Sequence, residues 1–274
     1  MSQPNPLQRY FRQPKLYVTL PSKGLFYEPG AFQGDYNQVP VFAMTGMDEL
    51  IMKTPDALYS GEATAKVIES CCPYIKNAGL MPSIDIDALM VAIRIATFGE
   101  TMDISHTCKN CGTENSYDIN LTNFMEYFNN LKFVNSIDAG NGMSIKIRPL
   151  QYNEMSYFSI ENYKLQKTLF QINELKDEEK QTQIDAIYKN LSELQLQLFL
   201  TVIESVSTPD VTVTEKAHIE DWLRNTERTH YALIKEKLES NKETWSVPSQ
   251  PIVCSNCQHK DELSVTLDQS NFFG

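Results

Sequence analysis

The stretch CKNCGTENSYDINL, residues 108–121, opens with two cysteines in a C-x-x-C knuckle and continues into alternating Tyr117, Ile119 and Leu121. Alternation of that kind is strand periodicity. A knuckle supplies two thiolates, whereas a structural zinc ion takes four ligands in a tetrahedron, so the stretch is half of a site. The second half is CSNCQHKDELSVTL, residues 254–267, which aligns with the first without a gap. Asn110 matches Asn256, and Tyr117, Ile119 and Leu121 match Leu263, Val265 and Leu267. This internal repeat of a knuckle-plus-strand unit predicts a zinc ribbon, with Cys108, Cys111, Cys254 and Cys257 closing one structural four-cysteine zinc site.

The long separation of the halves is no thermodynamic objection. Loop closure costs about 0.6 kcal/mol per doubling of length, while a structural zinc site contributes on the order of 10–16 kcal/mol. Zinc would then staple an insertion at its root. Three rival readings exist. A redox C-x-x-C sits at a helix N-terminus, where the dipole lowers the thiol pKa, but both knuckles here run into strand-like sequence. Two separate sites recruiting His106 and His259 would be crowded, because each histidine lies two residues from its cysteine pair. Coincidence without metal sits poorly with the gapless extent of the repeat.

The 274 residues suffice for one large domain or two ordinary ones, and 42% hydrophobic content can fill a core. Six cysteines are too few for a disulfide scaffold, and residues 1–17 show no apolar core of signal-peptide type, which leads us to expect a reducing, cytosolic compartment. No run approaches the roughly 20 apolar residues of a membrane span. A net charge of −11 argues against a broad phosphate-binding surface, so protein partners are expected and nucleic acid is not.

Around the repeat, residues 1–40 read as an extended, proline-rich arm with a turn at Ser22-Lys23-Gly24, lying either on its own body or on a partner. Residues 41–100 read as helical, with Thr45 and Ser60 as N-caps. Within them, Ser83 to Phe98 is the clearest helix, with Ile86, Leu89, Met90, Ile93 and Thr97 on one face and Gly99 as its terminator. Residues 101–150 are assigned to the first knuckle and a β-hairpin turning at Gly140-Asn141-Gly142. A helical insertion is expected over 151–247, with helices at 152–172 and 177–206 and two more around Trp222 and Leu233. The second knuckle, 248–274, completes the ribbon. The predicted fold class is therefore α+β, mainly helical, with a zinc-ribbon-like β element interrupted by a helical insertion. The stripe Ile184, Ile187, Leu191, Leu194, Leu198 reads first as a helical hairpin packing on itself, and alternatively as a coiled-coil contact making a homo-oligomer.

No catalytic constellation emerges. Cys71 and Cys72 fall at core positions, His218 and His230 read as solvated, and Asp85 and Asp87 read as helix-start carboxylates complementing the dipole. No P-loop, G-x-S-x-G or dinucleotide fingerprint is present, so no catalytic residue and no enzyme is expected.

Several ordered segments, NPLQRYFRQPKLYVTLPSKGLFY, MKTPDALYSGEATAKVIESCCP, MPSIDIDALMVAIRIATFGETMDISHTCKNCG and IKIRPL, resemble the T4 bacteriophage base plate protein family. That family contains a baseplate hub subunit and a hub assembly catalyst. The resemblance implies a phage tail baseplate hub assembly protein, non-enzymatic, working through contacts with other phage baseplate hub proteins in the host bacterial cytoplasm. It leaves two roles open, a transient assembly chaperone and a structural subunit retained in the virion tail baseplate. A nucleic-acid-binding zinc-ribbon module is a third reading, from outside the resemblance. An arm of this type can add to a partner's sheet edge, which puts Lys15 to Tyr27 against another hub protein.

Overall fold

Strands β1 (Pro14–Val18) and β2 (Val39–Phe42) pair antiparallel in the computed structural model, which describes residues 5–54, 61–172 and 177–265. The segment expected as an arm is thus built into its own body. Leu20 is fully buried, Ser22 nearly so, and the turn after it forms with Lys23 at φ 55° and Gly24 at φ 74°. Arg12 fastens the segment further by donating to Ala43 O at 2.6 Å, Ser70 O at 2.6 Å and Ser70 Oγ at 2.8 Å.

Helix α1 (Gly46–Met52) begins as expected at Thr45, whose hydroxyl accepts the Asp48 N–H while Asp48 accepts the Thr45 N–H, a reciprocal capping box. Helix α2 (Glu62–Cys71) starts after Gly61; Ser60, the expected cap, lies outside the described residues. A 3-10 turn at Ser83–Asp85 leads into α3 (Ile86–Phe98). Ile86, Leu89, Met90 and Ile93 are buried, and Gly99 ends the helix at φ 99° with its N–H on Ile95 O.

Asp85 stands at the helix start as read, the N-cap of α3, but its carboxylate is fully buried and accepts from Ser22 and Tyr27 instead of capping the helix's own N–H groups. Asp87 is half-buried and accepts a backbone hydrogen bond from Val247. Cys71 and Cys72 are fully buried, as expected of core cysteines.

Strand β3 (Thr101–Thr107), which alternation did not reveal, pairs with β4 (Glu114–Asn120) in a hairpin. Helix α4 (Thr122–Asn130) follows and buries Phe124 and Phe128 completely. Strands β5 (Ser136–Gly140) and β6 (Met143–Ile147) form the expected hairpin, its turn carried by three consecutive positive φ values at Gly140, Asn141 and Gly142.

The hairpin's partners differ from expectation. Helix α5 (Tyr152–Ile172) forms as read, but α6 (Asp177–Val202) stops before residue 206, because Ile203–Ser207 is strand β7 and adds to β6. β-branched Ile203 and Val206 enter the core there. With β8 (Thr212–Val213), the sheet order is β5-β6-β7-β8. Helices α7 (Lys216–Asn225) and α8 (Arg228–Thr244) complete this part around Ile145, Ile147, Phe199, Ile219 and Ile234. The chain accordingly divides into residues 1–132 with 245–274, and residues 133–244. The hairpin groups with the insertion and not with the first knuckle. Helices α5 and α6 pack on one another, and Ile187 of the apolar stripe is buried while Ile184, Leu191, Leu194 and Leu198 are half-buried.

Strands β9 (Gln250–Val253) and β10 (Lys260–Leu263) make the last hairpin. The ribbon is therefore two separate two-stranded hairpins, since β3-β4 and β9-β10 share no sheet.

Candidate metal centre

Each knuckle is the turn of a hairpin, and the repeat superposes bond for bond. Cys108 N–H donates to Thr113 O and Gly112 N–H to Cys108 O, both at 2.9 Å. In the second knuckle Cys254 N–H donates to His259 O at 2.9 Å and Gln258 N–H to Cys254 O at 3.0 Å. The turn requires a left-handed residue after the second cysteine. Gly112 meets it at φ 73°, and Gln258 meets it at φ 58° despite its Cβ.

The two turns bring four sulfurs together. Cys108 Sγ lies 3.7 Å from Cys257 Sγ, Cys111 Sγ lies 3.7 Å from Cys254 Sγ, and all four sit within 4.8 Å of one another. Those spacings exclude disulfides, whose sulfurs are about 2.05 Å apart. The two 3.7 Å separations match the edge of a zinc–thiolate tetrahedron, in which Zn–S bonds of about 2.3 Å place sulfurs about 3.8 Å apart. Four thiols at tetrahedral spacing can hold a metal ion. Cys108 and Cys254 are buried, Cys257 is half-buried and Cys111 is exposed, so the cluster has a closed and an open face.

Side chains outside the sulfurs join the hairpins with the same approximate two-fold symmetry. Asn115 Oδ1 accepts the Ser255 N–H at 2.9 Å and the Ser255 hydroxyl at 2.7 Å. At the equivalent positions, Lys109 Nζ donates to Asp261 Oδ1 at 3.0 Å. Tyr117 OH donates to Val253 O at 3.1 Å, and Asn256 Nδ2 to Thr113 Oγ1 at 3.1 Å. Lys109 is the first cause that lowers the Asp261 carboxyl to about 2. The Cys111 thiol is lowered to about 6, first by its side-chain and backbone hydrogen bonds with Thr113.

Of these outer residues the sequence marks only Tyr117 and Asn256, as matched positions of the repeat, and it pairs none of them. The signal was available in the gapless alignment, which sets Lys109 against Ser255 and Asn115 against Asp261, but the cross-pairing of those positions needs the fold. His106 is half-buried and directs Nε2 to Asp261 Oδ2 at 3.3 Å, while His259 is exposed. The sulfurs of both knuckles thus meet one another, and the two-site arrangement is not what the geometry assembles. Both knuckles lie between strands rather than at helix N-termini, unlike a redox C-x-x-C. His218 is exposed beside Glu215, as read. His230 is half-buried against Thr226 Oγ1 at 2.8 Å and the Trp222 ring, so the solvated reading fails for it.

No helix among the described residues is long and apolar enough to cross a membrane. No curated protein and no solved structure matches the chain. The family described as T4 bacteriophage base plate protein matches residues 38–274, most of the length, and the chain belongs to that family.

Proposed function

We propose that the protein is a phage tail baseplate hub assembly factor that acts through contacts with other hub proteins rather than through bond chemistry. The observation that carries this reading is the family match over residues 38–274. An acidic chain of net charge −11 suits protein partners better than a phosphate backbone. Its site of action would be the host bacterial cytoplasm during assembly.

Cys108, Cys111, Cys254 and Cys257 would hold one zinc ion. Zinc bound by four thiolates is closed to substrate and supplies cross-linking, not catalysis. Here the cross-link would tie residues 108–111 to residues 254–257 and so fix the root of the segment between them.

The test is a phage carrying a deletion of this chain, with tail precursors followed by sedimentation and electron microscopy. Hubs fail to form while other tail parts accumulate; normal hub formation overturns the reading. Quantitative mass spectrometry of wild-type virions then separates two modes of action. Absence from the particle makes the chain a transient chaperone, and a fixed small copy number makes it a hub subunit retained in the virion.

A further inference from the structure

Four thiolates around a divalent cation carry net negative charge, and this chain is already acidic. N–H dipoles pointing at the sulfurs offset that charge and orient the ligands. The structure supplies these dipoles in a symmetric pattern. Cys108 accepts backbone hydrogen bonds from Asn110 and Cys111, and Cys254 accepts them from Asn256 and Cys257. The second cysteine of each knuckle is served from across the interface. Asn110 Nδ2 donates to Cys257 Sγ at 3.5 Å, and Asn256 Nδ2 donates to Cys111 Sγ at 3.8 Å. Asn115, buried, adds a donation to Cys254 Sγ at 3.6 Å while gripping Ser255 with its oxygen.

We infer that Asn110, Asn115 and Asn256 are positioning residues for the metal, each presenting an amide N–H from one knuckle to a sulfur of the other. The inference rests on the reading that the four cysteines hold zinc. Its sharpest consequence falls on the open face. Cys111 is exposed and Cys257 half-buried, so protons and chelators reach these sulfurs most easily, and Asn256 and Asn110 guard them. The gapless repeat retains an asparagine at both places, as reciprocal donation across a two-fold requires.

The experiment is zinc affinity of the full chain, measured by competition with a chromophoric chelator at about pH 7.5. Wild type binds one zinc. Asn110→Ala and Asn256→Ala bind it about 10–100-fold more weakly. Asn110→Asp and Asn256→Asp keep size but remove the donor, and lose at least as much. Hydrogen exchange of the metal-free hairpins stays at wild-type protection in these exposed-site variants. Affinities within twofold of wild type overturn the inference, as does a loss of affinity matched by loss of metal-free protection, which would make the residues merely structural. A wild-type chain that takes up no zinc defeats the underlying metal reading and the inference with it.

Discussion

Asp85 accepts the backbone N–H of Ser22 on Oδ1 at 2.7 Å and the Ser22 hydroxyl on Oδ2 at 2.6 Å, and Oδ2 also accepts Tyr27 OH at 2.9 Å. This fully buried carboxylate ties the turn that follows β1 to the start of α3. The contact anchors residues 15–27 to their own body, one of the two placements open to the arm, while Tyr17 and Leu25 stay exposed.

The titration of Asp85 gives a pH prediction. Burial is the dominant cause and raises its carboxyl to about 6, against the hydrogen bonds from Ser22 and Tyr27 that pull it down. A carboxyl raised in the folded state holds more protons folded than unfolded between about pH 4 and 6, so stability from this group falls as pH rises through that window. The stability of wild type minus that of Asp85→Asn, from denaturant unfolding, should decline by up to about 3 kcal/mol between pH 4 and 7. A difference that grows with pH would mean the hydrogen bonds outweigh burial. Asp85→Ala strands three buried donors and should cost about 2–4 kcal/mol at about pH 4, a cost that declines as pH rises in parallel with that of Asp85→Asn.

Metal removal gives the second prediction. If zinc joins the hairpins, a chelator lowers the melting temperature of the purified chain, by about 2–4 °C for each kcal/mol of stability lost at this size. Cys108→Ser or Cys257→Ser should reproduce the shift and remove the chelator's effect. X-ray absorption should report four sulfurs at about 2.3 Å from zinc. A melting curve indifferent to chelation would sink the zinc staple.

The repeat made the centre legible because it is local: two cysteines, a positive-φ turn and a strand are encoded within each knuckle. What the sequence hid is relational. The cross-pairing of Asn115 with Ser255 and Lys109 with Asp261 spans 140 and 152 positions and exists only once the hairpins face each other. Strand β3 escaped notice because Thr101, Asp103, Ser105 and Thr107 put polar residues on one face while His106 breaks the apolar face of Met102 and Ile104. The expected helix over 177–206 runs past the end of α6 because Val202, Ile203 and Val206 continue the apolar spacing of its leucines, and only pairing with β6 shows where helix becomes strand. The burial of Asp85 stayed hidden because a carboxylate at a helix start has the same sequence signature whether water or a folded-back turn covers it.

Arg12 offers a test of how firmly the N-terminal segment is held. Its guanidinium donates to two backbone carbonyls and the Ser70 hydroxyl, and approaches Asp48 Oδ2 at 3.4 Å. Lysine cannot reproduce the planar fork. Arg12→Ala should lower stability by about 2–3 kcal/mol and Arg12→Lys by roughly half as much. Limited proteolysis should cut both variants before residue 18 faster than wild type. Equal cleavage of all three would show that the β1–β2 pairing alone holds the segment.

Gly34 gives the most localised prediction. A Cβ there would lie 2.3 Å from Tyr74 Cδ2 and 2.5 Å from Cε2, and the backbone adopts φ +141°. The approach is close because Gln33 N–H donates to Tyr74 O at 2.9 Å and Phe32 bridges to Ile75, drawing the two segments together. Gly34→Ala should therefore cost about 2–4 kcal/mol, from ring displacement and backbone strain together. The two causes separate in a double-mutant cycle. Tyr74→Ala removes the ring but leaves the φ requirement, so the cost of Gly34→Ala in that background should fall by at least about 1 kcal/mol. A cost unchanged by Tyr74→Ala would assign the whole effect to the backbone, and the ring contact would carry none of it.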